Sequence, residues 1–174
     1  MNGDNGDTST LCRKTVLDYG VRSFEFRLFP TADQRQRLMG CLMETRQAYN
    51  DMLEYAKAQY AASATFPSRF DLTKGFAGTA GPHTPATTQQ TLAERLSKAL
   101  AFFLAHRTER QSDGSPRVGF PRYKTPNRWH SICLRQNGGD FSLDNGVLKV
   151  AAKLGKRIKI KMHRPIEGTP KRAH

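Results

Sequence analysis

At 174 residues the chain is long enough to bury a core and suits one domain, or one domain carrying an insertion. A formal net charge of +13 makes a polyanion the first partner to consider, and three cysteines without paired spacing (Cys12, Cys41, Cys133) argue against a disulfide frame or a zinc site. The polar, acidic start is unlike a signal peptide, and no apolar run nears the roughly 18 residues a membrane span needs, so a cytoplasmic protein with no membrane partner is expected.

Residues 1–20 are expected to be a loose tail. From Val21, the apolar Phe24, Phe26 and Leu28 alternate with Ser23, Glu25 and Arg27, the period of two that predicts a half-buried strand. Pro30 ends it, because proline cannot donate to a ladder. Thr31 and Gln34 then have the spacing of a capping box, and Leu38, Leu42, Tyr49, Met52, Leu53, Ala56 and Tyr60 form one stripe of a helix running to about Tyr60. Residues 63–83 mix Gly, Pro, Ser and Thr with three phenylalanines, which predicts a loop that still packs around a short turn of helix near Leu72.

A second helix is predicted over 85–107, with Thr84 as cap, Pro85 in the first turn, and Leu92, Leu96, Ala99, Leu100 and Phe103 facing inward. Residues 108–117 read as a polar connection. Beyond them HSICLR, DFSL, VLKVAA and RIKIKM predict a small antiparallel sheet, with Asn145 and Gly146 as a two-residue hairpin turn. In the last strand Ile158, Ile160 and Met162 face one way and Arg157, Lys159 and Lys161 the other, offering a row of cations to a phosphate backbone. The charge is concentrated here: residues 1–105 hold 12 Lys or Arg against 10 Asp or Glu, and residues 106–174 hold 16 against 5.

No catalytic pattern emerges. Asp140 and Asp144 sit in turn contexts where Asp bonds local backbone, and His83, His106, His130, His163 and His174 lack ligand spacing. No metal and no cofactor are expected. Residues 119–124, GFPRYK, followed by Arg128 and Trp129, interleave cations with aromatics. They read either as a phosphate-binding and base-stacking segment or as a proline turn with aromatic core anchors and solvated cations. Arg46, Tyr49 and Asn50 cluster on the first helix, where they either reach a nucleic acid or hold a neighbouring loop.

The run FEFRLFPTADQ followed by RQAYN resembles the start of the TnpB family, transposon-encoded RNA-guided nucleases related to type V CRISPR effectors. The likeness continues through Gln90, Leu96, Ala99 and Phe103, then GFPRYK, then LGKRIKI at 154–160 and HRPIEG at 163–168. It implies an α+β fold: a small antiparallel β-barrel of oligonucleotide-binding type, the wedge, with an inserted helical recognition lobe. The implied division is a tail at 1–20, the first wedge strand at 21–30, the lobe at 31–110, the remaining wedge strands at 111–168 and a basic tail at 169–174. The implied partners are a structured guide RNA and double-stranded DNA.

On that plan Arg27, Arg122, Lys124, Arg128, Lys149, Lys159 and Lys161 contact phosphates, Tyr123 and Trp129 stack, and Arg46, Tyr49, Asn50 and Gln90 line the lobe. The family's nuclease carboxylates and zinc ribbon have no counterpart in this sequence, which stops just before the strand that would carry the first carboxylate. Binding without cutting is therefore the expected activity. Two alternatives stand beside it: a stand-alone DNA-binding regulator of transposition, and one part of a split endonuclease whose nuclease domain is separately encoded.

Overall fold

The computed structural model describes residues 23–174, so the expected tail at 1–20 lies outside the described residues. In chain order the elements are β1 (Arg27–Phe29), α1 (Ala32–Ser63), α2 (Arg69–Gly75), α3 (Ala86–His106), β2 (Phe141–Asp144), β3 (Val147–Val150) and β4 (Arg157–Lys161). Short 3-10 turns lie at Pro126–Arg128 and Ala152–Leu154. The fold is α+β, with three helices and one antiparallel sheet of strand order β1-β4-β3-β2.

The sheet is open, which corrects the expected barrel. Its strands are only three to five residues long, and β1 and β2 are its edges among the described residues. HSICLR, expected as a strand, contributes only an isolated bridge between Leu134 and Ala173. Without it too few strands remain to curl round and pair the edges. The β2–β3 hairpin does turn on Asn145 and Gly146, with φ of 42° and 77°, the left-handed pair a type I′ turn requires.

Helix α1 starts where the sequence places it. The Thr31 hydroxyl accepts from the Gln34 N–H at 3.3 Å, and Gln34 Oε1 accepts from the Thr31 N–H at 3.0 Å. The same Gln34 amide then reaches the sheet, donating from Nε2 to the carbonyls of Gly155 (3.0 Å) and Arg157 (2.7 Å). One side chain thus fixes the helix start against the entry to β4. Gly155 permits this approach: its φ is +108°, and a Cβ there would lie 2.6 Å from Gln34 Cγ.

The helix continues three residues past Tyr60 and ends at Ala64 in the left-handed region. Its first half, through Cys41 and Leu38, packs on a sheet-side core with Leu134, Phe141 and Leu154. Its second half, Ala48 to Ala56, joins a larger core with Leu72 of α2 and Leu92, Ala93, Leu96 and Leu100 of α3. α2 fills the predicted packing loop and opens with a second capping box, Ser68 with Asp71. Of that loop's phenylalanines, Phe66 and Phe76 pack against the core while Phe70 is exposed.

Thr84 does not cap α3. Its hydroxyl donates to Glu44 Oε2 of α1 at 2.8 Å, and the same carboxylate accepts from the His83 N–H at 3.0 Å. The entry to α3 is therefore tied sideways to α1, and Pro85 occupies the cap position without a side-chain bond. No helix among the described residues is long and apolar enough to cross a membrane.

Candidate nucleic-acid interface

Strand alternation and register together decide which cations share a surface. In β4, Ile158 and Ile160 are buried, while Arg157, Lys159 and Lys161 are exposed. Antiparallel pairing sets Arg27 opposite Lys161, Phe29 opposite Lys159, and Lys149 opposite Arg157. Directly paired residues point to the same side of a sheet, so Arg27, Lys149, Arg157, Lys159 and Lys161 form one cationic face drawn from three strands. Lys149 is partly neutralised by Asp144 of β2 at 3.0 Å. The other four have no carboxylate within salt-bridge distance among the described residues. Phe29, 48% exposed with the Arg27 guanidinium 5.4 Å from its ring centre, adds an aromatic surface to the same face.

The second expected contact segment is built differently. Asn50 grips residue 124 with both ends of its amide, donating from Nδ2 to the Lys124 carbonyl (3.1 Å) and accepting at Oδ1 from the Lys124 N–H (2.8 Å). Arg46 Nη1 approaches the same carbonyl at 3.5 Å. Arg46 and Asn50 therefore hold a neighbouring loop, one of the two readings their spacing left open. Tyr49 is a core residue, with burial raising its hydroxyl pKa.

Trp129 is likewise buried rather than open to a base. Its Nε1 donates to Thr45 Oγ1 at 3.0 Å, Tyr49 lies 5.3 Å away ring to ring, and the Arg95 guanidinium sits 4.7 Å from its ring centre. Tyr123 is exposed, but Lys57 Nζ covers its ring at 4.0 Å and its hydroxyl donates to Glu54 at 3.3 Å. Arg122 and Arg128 are exposed to solvent. The Lys124 ammonium is held below its ordinary pKa, first by burial and then by Arg95 and Arg128. Lys124, Arg95 and Arg128 are thus near enough to repel one another, with the Arg95 guanidinium on the Trp129 ring and the Lys124 ammonium on the Tyr49 ring.

Gln90 is exposed on α3 and lines an open groove of about 770 Å³ with Gln136, Asn137, Lys171 and Arg172. Its neighbour Gln89 is buried and structural, donating to the Phe76 carbonyl and accepting from the Gly78 N–H. Asp140 bonds local backbone as its turn context predicts, accepting from the N–H groups of Arg135 and Gln136.

Next to this groove, and sharing Arg135 and Arg172 with it, is a cavity of about 330 Å³ between α1, α3 and residues 129–135. Burial raises the Cys133 thiol above its ordinary pKa, opposed by the nearby charges of Arg172, Arg135 and Arg95. Arg95, Arg135 and Arg172 were not legible as site residues. They are spread over 77 residues of sequence, and the Leu134–Ala173 bridge brings the last two together. Among the described residues, no group of three or more His, Cys, Asp or Glu is placed to hold a metal ion.

Residues 21–64 match the family model for the helix-turn-helix domain of OrfB in IS605 elements. The likeness to the TnpB and OrfB family read from the sequence therefore holds for this segment. Its described part consists of β1 and one unbroken helix, α1, and holds no second helix to dock as a recognition helix. No curated protein matches the chain.

Proposed function

We propose that the chain binds polynucleotide through the cationic face of its sheet, with the helical side holding that sheet in place. The observation carrying this is the convergence of Arg27, Arg157, Lys159 and Lys161, from two neighbouring strands, on one exposed face with no carboxylate of the described residues within salt-bridge distance. Alternate residues of a strand lie roughly 6.7 Å apart, a spacing comparable to that of successive phosphates along a nucleic-acid strand. Four phosphate contacts give a log affinity that falls with log salt at a slope of roughly −3 to −4.

The resemblance to the TnpB family supports a more specific reading, in which the partners are a structured guide RNA and the duplex DNA it targets. In that reading the described residues bind without cutting, and any cleavage is the work of a separate nuclease domain. The helix-turn-helix family match supports a second reading, a DNA-binding regulator of transposition located in the cytoplasm. Purifying the protein from its native cells and sequencing the bound nucleic acid separates them. One enriched transcript supports the guide-RNA reading; duplex DNA without RNA supports the regulator; no enrichment of either contradicts polynucleotide binding.

A further inference from the structure

The cavity between α1, α3 and residues 129–135 is separate from the sheet face and has the features of a ligand site. Its lining includes Thr88, Thr91, Arg95, Trp129, Arg135 and Arg172. Thr88 is only 2% exposed, and its hydroxyl has no hydrogen-bond partner in the structure, although a buried polar group ordinarily finds one. It is the one such side-chain atom among the described residues.

The charge around the cavity is unbalanced. Glu94 pairs with both Lys98 and Arg135 at 2.7 Å, leaving Arg95 and Arg172 without a carboxylate partner among the described residues. The volume is at the small-molecule end of pocket sizes, room for a nucleotide and too small for a duplex, whose stacked pairs keep their base edges inside the grooves. The adjoining groove, with the amides of Gln90, Gln136 and Asn137, extends the site along α3.

We infer that this cavity takes one unpaired nucleotide of a single-stranded segment, with the phosphate at Arg172 and Arg95 and the nucleoside against the Thr88 and Thr91 hydroxyls. The inference rests on the polynucleotide-binding reading above but uses a different surface. Unpaired bases are the usual targets of selective recognition in folded RNA, because only they can be drawn out of the stack. Thr88 supplies an unspent hydrogen bond, and the two arginines attract the backbone that carries the base.

Trp129 is the chain's only tryptophan and lines the cavity, so its fluorescence reports occupancy directly. The full chain is titrated with a ten-nucleotide oligouridine, a ten-base-pair DNA duplex, uridine 5′-monophosphate and inorganic phosphate, with binding of labelled oligonucleotides followed in parallel by anisotropy. The expected result is that the oligouridine changes Trp129 emission saturably, while the duplex binds without changing it.

Thr88→Val removes the hydroxyl at constant shape. It is expected to weaken oligouridine binding about threefold to tenfold, the worth of one hydrogen bond, while leaving the melting temperature unchanged or higher. Arg172→Ala, at an exposed position, is expected to weaken it similarly without loss of fold. Unchanged Trp129 emission with oligouridine bound, unchanged affinity in both variants, or an equal response to inorganic phosphate overturns the site. If the duplex still binds, the sheet-face reading survives that failure. If no polynucleotide binds at all, both fall.

Discussion

Two regions of this molecule carry the same sequence ingredients, cations interleaved with aromatics, and use them in opposite ways. On the sheet, the period of two in RIKIK buries both isoleucines and frees every cation, and pairing with β1 and β3 gathers cations from neighbouring strands into one plane. In residues 119–129 the aromatics and the Lys124 backbone are spent on the protein itself, while Arg122 and Arg128 face solvent. Trp129 enters the core, Lys57 covers Tyr123, and the backbone of Lys124 is clamped by Asn50. A regular strand leaves its outer face with nothing to hold, whereas an irregular segment must satisfy its own backbone and so recruits the polar side chains around it. The first region is equipped to bind a polyanion, and the second to keep a helical scaffold rigid.

The sharpest way to break this contrast is charge reversal on the sheet. Lys159→Glu with Lys161→Glu is expected to weaken polynucleotide binding roughly 100-fold near 0.1 M salt, about tenfold per lost phosphate contact, with the melting temperature nearly unchanged. Filter binding and a thermal melt measure the two quantities. A binding loss matched by Arg122→Glu with Arg128→Glu would erase the distinction between the regions.

Asn50→Ala should do the reverse. It removes two hydrogen bonds and strands the part-buried backbone of Lys124, so a loss of about 2 kcal/mol in denaturant unfolding is expected, with less than a threefold change in affinity below the melt. Gln34→Ala tests the link between the two sides. It removes half of the α1 capping box and both bonds to the β4 entry, for an expected cost of about 1 to 2 kcal/mol. Because the sheet then loses its anchor to the helix, affinity should fall together with stability, unlike in either preceding variant.

The effect smallest at pH 7 emerges only at alkaline pH. Burial raises the Cys41 thiol to about 11, with Thr84 and Lys153 opposing and Glu44 assisting. A folded value above the ordinary 9.0 means that the thiol's contribution is complete below pH 9 and is lost as pH rises towards 11. The loss is at most about 3 kcal/mol, two pH units at roughly 1.4 kcal/mol each. Cys41→Ala should therefore flatten the decline in unfolding free energy over that window, while at pH 7 it shows only a small packing cost.

Much of this fold was legible where the chain is regular. The Thr31 and Gln34 box, the stripe from Tyr49 to Ala56, the Asn145–Gly146 turn and the cationic side of β4 all follow from short-range spacing. What the sequence hid depends on long-range pairing. Nothing local distinguishes HSICLR, which forms one bridge, from DFSL, which forms a strand. Thr84 has the look of a cap, yet a carboxylate forty residues away takes its hydroxyl. The aromatics of residues 119–129 had two open readings because burial cannot be read from composition. All five sheet-face cations were legible one by one, but their common plane required the registers of β1 and β3 on β4. The Thr88 cavity was wholly hidden, since its walls come from two helices, residues 129–135 and the last residues of the chain.

The central claim is that exposed sheet cations, not the proline-rich segment, carry the contacts to phosphate. It is tested most directly by the salt dependence of binding to one fixed polynucleotide, compared among the parent chain, Lys159→Ala and Lys159→Ala with Lys161→Ala. The account predicts a log–log slope of roughly −3 to −4 for the parent that becomes shallower by about 1 for each lysine removed. Three parallel lines with the parent slope would contradict it.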